Sequence, residues 1–278
     1  MKKLSLSFAL IIGFVSQNVM LNAQTNKVPE SIGAYKLVWN DEFDKDGKPD
    51  PSKWAFDNGF IRNQEPQWYQ PENAVCKNGF LEITAIKEEK QNPNYDSTSK
   101  DWRLNRKTAH YTSSCLITKG IFDFTYGKIF MRGKIDTKQG MWPAFWMLGS
   151  NRGPVRWPAC GEVDIMEFYR KKLLGNIFWE GGMKDTKIPL DKLGEGWSDE
   201  FHEWELEWTK DSMIITQDGK LVNSFDISKT INKKMGNNPF HEKMYLVLNL
   251  ALGQGRESIP DENLPAKFIV DYVRVYQK

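Results

Sequence analysis

Gly161-Glu162-Val163-Asp164-Ile165-Met166-Glu167-Phe168 sets three acids among apolar residues in one strand-like run. In a regular strand alternate side chains share a face, so Glu162 and Asp164 point together and Glu167 points away. One extra residue, a β-bulge at Ile165-Met166, returns Glu167 to the face of the other two and lines three carboxyls along one groove. Three neighbouring carboxyls in a partly dry groove cannot all stay ionised cheaply, so at least one pKa must rise. One ionised carboxylate beside one protonated acid is the pair that retaining glycoside hydrolysis uses. Charged strands are more often solvated faces, but Ile165, Met166, Phe168 and the preceding Trp157-Pro158-Ala159-Cys160-Gly161 do not read as solvent-facing sequence. A calcium site is the other ordinary use of such acids, and hard-cation sites usually draw their ligands from a loop.

Upstream, Gly140-Met141-Trp142-Pro143-Ala144-Phe145-Trp146-Met147-Leu148-Gly149 carries two Trp four residues apart, on one face if the run is extended. The C–H face of a sugar ring stacks on indole, so ordered Trp beside carboxylates suits a glycan. Asn63, Glu65, Gln67, Trp68 and Tyr69 form a second polar-aromatic cluster suited to hydroxyl recognition or to a structural loop. Trp204 and Trp208 are assigned to the core, because Trp204, Leu206 and Trp208 share one strand face while Glu203, Glu205 and Glu207 share the other.

Most of the remaining chain reads as short alternating strands bounded by Gly, Pro, Asn and Asp. Met213 to Gln217, Asp218-Gly219 and Lys220 to Phe225 read as a hairpin whose turn favours positive φ. Glu88 to Arg106 and Met183 to Asp199 read as long loops of the kind that wall a cleft. With no repeat and no dividing linker, a two-sheet all-β sandwich in one domain is the economical architecture.

Composition narrows the function classes. Removing Lys2 and Lys3 with a leader that holds no acid leaves 36 basic and 36 acidic residues, so nucleic-acid or membrane-surface binding is not indicated. Three His and three Cys (Cys76, Cys115, Cys160), widely spaced, argue against a zinc centre and point to buried thiols. Met1-Lys2-Lys3, an apolar run from Leu4 to Val15 and Leu21-Asn22-Ala23 read as a cleavable secretory signal over residues 1–23. The mature protein over 24–278 is then expected to be secreted or periplasmic and monomeric, with no membrane anchor.

With these residues in hand the sequence resembles the laminarinase-like branch of glycoside hydrolase family 16. The markers are Trp39-Asn40-Asp41-Glu42-Phe43, Asn73 to Ala85, Tyr111-Thr112-Ser113, Trp142 to Gly149, Trp157 to Phe168, Phe201 to Trp208, Asp218-Gly219 and Asn249-Leu250-Ala251-Leu252-Gly253. The resemblance implies a jelly-roll β-sandwich of two antiparallel sheets whose concave face is an open cleft for a β-glycan chain. It implies endo-cleavage with retention, with Glu162 as nucleophile, Glu167 as acid/base and Asp164 tuning the nucleophile. Retention asks for the two reacting carboxyls about 5–5.5 Å apart. Asn63, Trp142, Trp146 and Trp179 are the expected substrate contacts. No cofactor is expected in catalysis, but the family's structural calcium corresponds to Glu42, the backbone of Gly79, and Asp271.

Three departures bear on substrate. Relatives usually carry a His-containing strand where this chain has Gly175-Asn176-Ile177-Phe178-Trp179-Glu180-Gly181-Gly182; Cys115 stands where many have a basic residue; and Gln254 interrupts a Gly pair after Gly253. The expected substrate is a β-1,3- or β-1,3/1,4-glucan. An endo-β-galactosidase acting on poly-N-acetyllactosamine, mucin-type O-glycans or keratan comes second, and a catalytically silent glycan-binding module third.

Overall fold

A computed structural model describes residues 28–253 and 258–278; the leader reading over 1–23 and the Gln254 departure lie outside the described residues. The described strands form two sheets, of eight and eleven strands, packed face to face. In the eight-stranded sheet the order is Gly182–Lys184, Lys172–Trp179, Glu162–Tyr169, Met141–Gly149, Met244–Leu252, Cys115–Ile117 and Ala55–Phe56, with Lys187–Pro189 also pairing Lys172–Trp179. Every pairing in it is antiparallel. The larger sheet is antiparallel except where Gln67–Tyr69 runs parallel to Thr108–Ser113. This is the β-sandwich expected, with the acid strand near the middle of one sheet.

Alternation explains the core. Phe145 and Met147 from Met141–Gly149, and Val163, Ile165, Met166 and Phe168 from the acid strand, are fully buried between the sheets. They meet Leu81, Ile83, Met131, Leu206, Phe268 and Val273 of the larger sheet in one apolar cluster. Trp204 and Trp208 belong to it, 0% and 1% exposed. The hairpin turns through Asp218 at φ 50° and Gly219 at φ 71°, joining Gln217 to its partner Lys220. Such a turn twists with the strands it connects. Cys76, Cys115 and Cys160 are buried free thiols.

The two long loops hold more structure than their polarity suggests. The strand Phe80–Gln91 runs well into the first, which also carries the short helix Trp102–Asn105 capped by Asp101. The second contains Gly182–Lys184 and Lys187–Pro189, both added to the edge of the acid sheet. Backbone pairing to an existing edge forms strands even where side-chain patterning is absent. Among the described residues no helix is long and apolar enough to cross a membrane.

Candidate active site

The bulge expected in the acid strand is present. Asp164 pairs with Asn176 and Glu167 with Leu174, so two residues, Ile165 and Met166, stand opposite Gly175 alone. Both are fully buried, which leaves Glu162, Asp164 and Glu167 on the outer face. On the neighbouring strand Trp146 lies opposite Asp164 and Ala144 opposite Glu167. Entry to the acid strand is tight: a Cβ at Gly149 would lie 2.0 Å from the carbonyl oxygen of Cys160. Only glycine permits that approach, which folds the 150–160 connection back over the groove.

The three carboxyls line a cleft of about 360 Å³ together with Asn63, Trp142 and Trp146. Each has a neutral donor. Trp157 Nε1 donates to Glu162 Oε2 at 3.0 Å, and Trp142 Nε1 donates to Glu167 Oε1 at 2.7 Å. Asn176 Nδ2 donates to Asp164 Oδ2 at 2.9 Å and to Glu167 Oε2 at 3.2 Å. Burial first, and the charge of Glu167 second, push the Glu162 carboxyl up to about 7; the Trp157 hydrogen bond and the charges of Arg62 and Arg152 oppose that rise. Asp164 is held well above the usual carboxylate range by burial and then by Glu167 and Glu162. Glu167 is raised by burial, against the hydrogen bonds from Trp142 and Asp164. Asp164 and Glu167 are hydrogen-bonded to each other, and that bond raises Asp164 and lowers Glu167, favouring the proton on Asp164. The resemblance gives Asp164 the task of tuning Glu162; in the structure Asp164 feels the charge of Glu162 and is hydrogen-bonded to Glu167. Two residues separate Asp164 from Glu167 across the bulge, which brings their carboxyls together on one face.

Trp142 and Trp146 both face the cleft. Trp142 packs on Tyr169 with centroids 4.6 Å apart. Trp146 is 7% exposed, and its ring is covered by the Arg62 guanidinium at 5.1 Å, so it serves as floor more than as open platform. Trp146 Nε1 donates to Asn249 Oδ1 at 2.7 Å, and Asn249 Nδ2 donates to Tyr69 Oη at 3.1 Å. Tyr69 Oη continues to Glu65 at 3.2 Å, where Gln67 at 2.7 Å and Asn63 at 3.1 Å also converge. The polar-aromatic cluster is therefore a buried network that presents Asn63 at the rim. Trp68 is not part of it and packs on Phe60.

Trp179 is a correction. Glu162 pairs with Phe178, so Phe178 shares the cleft face and Trp179 turns to the other, where it packs against Phe240 with centroids 6.4 Å apart. Strand parity across the pair decides this, and the sequence of one strand does not display it. Residues that sequence reasoning passed over are Arg62, Arg152, Trp157, Asn176 and Asn249. Trp157 is half exposed and rests on Phe178 at 6.0 Å, offering an indole at the cleft rim. Its place just before the acid run was the one available signal. Arg62 brings a basic group against Cys115 from another segment: its Nη1 and Nη2 each lie 3.7 Å from Cys115 Sγ.

Glu42, Gly79 and Asp271 converge on a separate cavity of about 340 Å³ on the outer face of the larger sheet. Arg274 grips Glu42 at 3.0 and 2.7 Å, Asn40 donates to Glu42 at 3.0 Å, and Arg132 pairs with Asp271 at 2.5 Å. Among the described residues no three His, Cys, Asp or Glu side chains group as a metal site. Carboxylates gripped by guanidinium leave fewer oxygens free for a calcium ion, which asks for six to eight oxygen ligands.

Comparison with known proteins agrees with this geometry. The family model for Glycosyl hydrolases family 16 matches residues 70–274, and the chain belongs to that family. A β-glucanase of Rhodothermus marinus is 30% identical over 301 aligned positions, covering 100% of this chain and 96% of the relative. A solved structure from work on endo-acting O-glycanases that human gut bacteria express to initiate mucin breakdown is 33% identical. It covers 90% of this chain and 94% of its own, with a TM-score of 0.81. The catalytic domain of an endo-1,3-β-glucanase (laminarinase) from Thermotoga petrophila is also 33% identical, covering 88% and 98%, with a TM-score of 0.72. The protein is a glycoside hydrolase, an endo-β-glycosidase.

Proposed function

We propose that this endo-β-glycosidase cuts internal linkages of mucin-type O-glycan chains, of poly-N-acetyllactosamine character, with retention at the anomeric carbon. One observation carries the substrate reading. The O-glycanase-related structure and the laminarinase are equally identical in sequence, yet the backbone follows the former at a TM-score of 0.81 and the latter at 0.72. Closer backbone agreement at equal identity reports on loops, and the loops of a β-sandwich wall its cleft and select its substrate. A β-1,3-glucan is the second reading, favoured by the whole-length similarity to the Rhodothermus β-glucanase.

In the reaction Glu162 is the nucleophile and Glu167 the acid/base. The proton shared by Asp164 and Glu167 passes to the leaving glycosidic oxygen while Glu162 attacks the anomeric carbon. Water, deprotonated by Glu167, then releases the sugar from Glu162. Trp142 and Trp157 hold the two carboxyls in place through their indole N–H groups. The Asp164–Glu167 pair gives up one proton in the first step and regains one from the attacking water in the second, so it ends each cycle as it began. The chemistry uses side chains alone. Secretion after removal of residues 1–23, action as one catalytic domain over 24–278 and a monomeric state complete the proposal.

Product analysis after incubation with mucin O-glycans, keratan sulfate, laminarin and mixed-linkage glucan tests it. Oligosaccharides from the mucin chains are expected; release from laminarin or mixed-linkage glucan alone selects the second reading, and no release from any sinks both. Azide added to a Glu162→Ala variant is expected to restore turnover with an inverted glycosyl azide product, since the small anion enters where the carboxylate stood.

A further inference from the structure

We propose that Arg62 is a specificity-determining residue of this reaction, a clamped guanidinium that donates hydrogen bonds to the hydroxyls of the sugar seated beside Glu162. The proposal rests on the assignment of Glu162 as nucleophile. Arg62 lies in the connection between the strands Ala55–Phe56 and Gln67–Tyr69 and lines the catalytic cleft. Its guanidinium pairs with Asp57, leans on Cys115 Sγ and covers the rings of Trp146 at 5.1 Å and Tyr69 at 5.8 Å. Those contacts fix its plane. Asp57 and Cys115 engage Nη1 and Nη2, whereas a guanidinium carries five N–H donors, so donors are left over for the cleft.

The connection itself is built to hold that position. Asn63 at φ 55° and Gln64 at φ 53° are consecutive non-glycine residues in the left-handed region. Such conformations persist where surrounding contacts over-determine them, and they collect at binding sites. Here Arg106 fixes the carbonyls of Glu65 at 2.6 Å and Gln64 at 3.2 Å, while Asn63 is tied to Glu65. A salt bridge meant only for stability needs no strained loop to deliver it into a cleft. A planar, immobilised fork instead loses little freedom on meeting a sugar and discriminates by geometry.

Arg62 also acts on Glu162 through its charge. Facing Glu162 are Asp164 and Glu167 from its own strand, Arg62 from this connection, and Arg152, Trp157 and Cys160 from the 150–160 connection. Removing Arg62 takes away one of the two positive charges that favour the ionised nucleophile. The acidic limb of the rate profile then moves to higher pH.

The test compares full-length wild type, Arg62→Ala and Arg62→Lys on mucin O-glycans and laminarin, with kcat, KM and pH profiles. Arg62→Ala is expected to lower kcat/KM on the preferred glycan about 10- to 100-fold, the cost of a hydrogen bond from a charged donor. Its acidic limb shifts upward. Arg62→Lys restores the limb through its charge but remains at least about fivefold impaired, because an ammonium lacks the fork. Near-UV circular dichroism checks the fold, and if Arg62→Ala does not fold the Lys variant decides alone. Wild-type kcat/KM within twofold in the folded variants overturns the proposal. So does a lowered Tm with an unmoved acidic limb and equal losses on both glycans, the pattern of a structural residue. A wild-type enzyme inactive on every glycan overturns the underlying site assignment, and this proposal with it.

Discussion

Two acidic clusters lie on opposite outer faces of the sandwich, and they are neutralised in different ways. Behind the larger sheet, Glu42 and Asp271 each meet an arginine, Asp218 meets His202 at 2.7 Å, and Glu203 accepts from Tyr272. In the cleft, Glu162, Asp164 and Glu167 are held by indole and amide donors, and all three are raised toward the protonated form. A carboxylate with a guanidinium partner is useful as a tie between segments. One that is buried with a neutral donor is raised toward its protonated form and is useful for proton transfer.

The largest effect should come from the cleft. Glu162→Gln and Glu167→Gln are each expected to cut kcat by about 10³-fold or more, while Glu42→Gln leaves kcat/KM within about twofold. Steady-state kinetics on the preferred glycan decides it, and a Glu42→Gln loss comparable to the cleft variants breaks the comparison. On the other face, Arg274→Ala leaves Glu42 half-buried without its partner and strips a guanidinium from above Tyr272, 3.6 Å away. A loss on the order of 2 kcal/mol is expected, read as a Tm drop of several degrees with kcat retained.

A smaller effect sharpens the contrast through pH. Glu162 is raised in the folded protein from an ordinary 4.5 to about 7, so the folded state binds this proton more tightly than the unfolded chain does. Its contribution is fully present below about pH 4.5 and is lost as pH rises through about 7. Glu162→Gln, which carries no charge at any pH, should therefore raise Tm by about 2–6 °C at pH 8 and by less at pH 4, as scanning calorimetry would record. An equal change at both pH values removes the electrostatic account. The smallest effect concerns metal: with Arg274 and Arg132 on the acids of the larger sheet, chelation by EDTA is expected to move Tm by less than about 2 °C. A large drop assigns calcium to Glu42, Gly79 and Asp271 and makes the arginine pairs its apo form.

How much of this was legible depends on the range of the interaction. The bulge at Ile165-Met166 was, because three acids and four apolar residues in eight positions allow few ways to separate charge from core. Trp204 and Trp208 were legible by the same alternation. Trp179 was not, since its face follows from the pairing of Glu162 with Phe178. The hydrogen bond between Asp164 and Glu167 was not legible, because it forms only once the bulge brings the two carboxyls side by side. Arg62 left no local trace at all; its partners Cys115 and Trp146 lie 53 and 84 positions away in the chain.

By itself, then, the sequence determined the sandwich, the strand that carries the carboxyls and the face on which they lie, because alternation is a property of a strand and its immediate neighbours. Only the tertiary structure decided which carboxyls are hydrogen-bonded to each other, which indoles reach the cleft and which cations stand beside each acid. Those depend on strand register and on loops meeting across the sheet, where a shift of one residue exchanges a buried face for an open one.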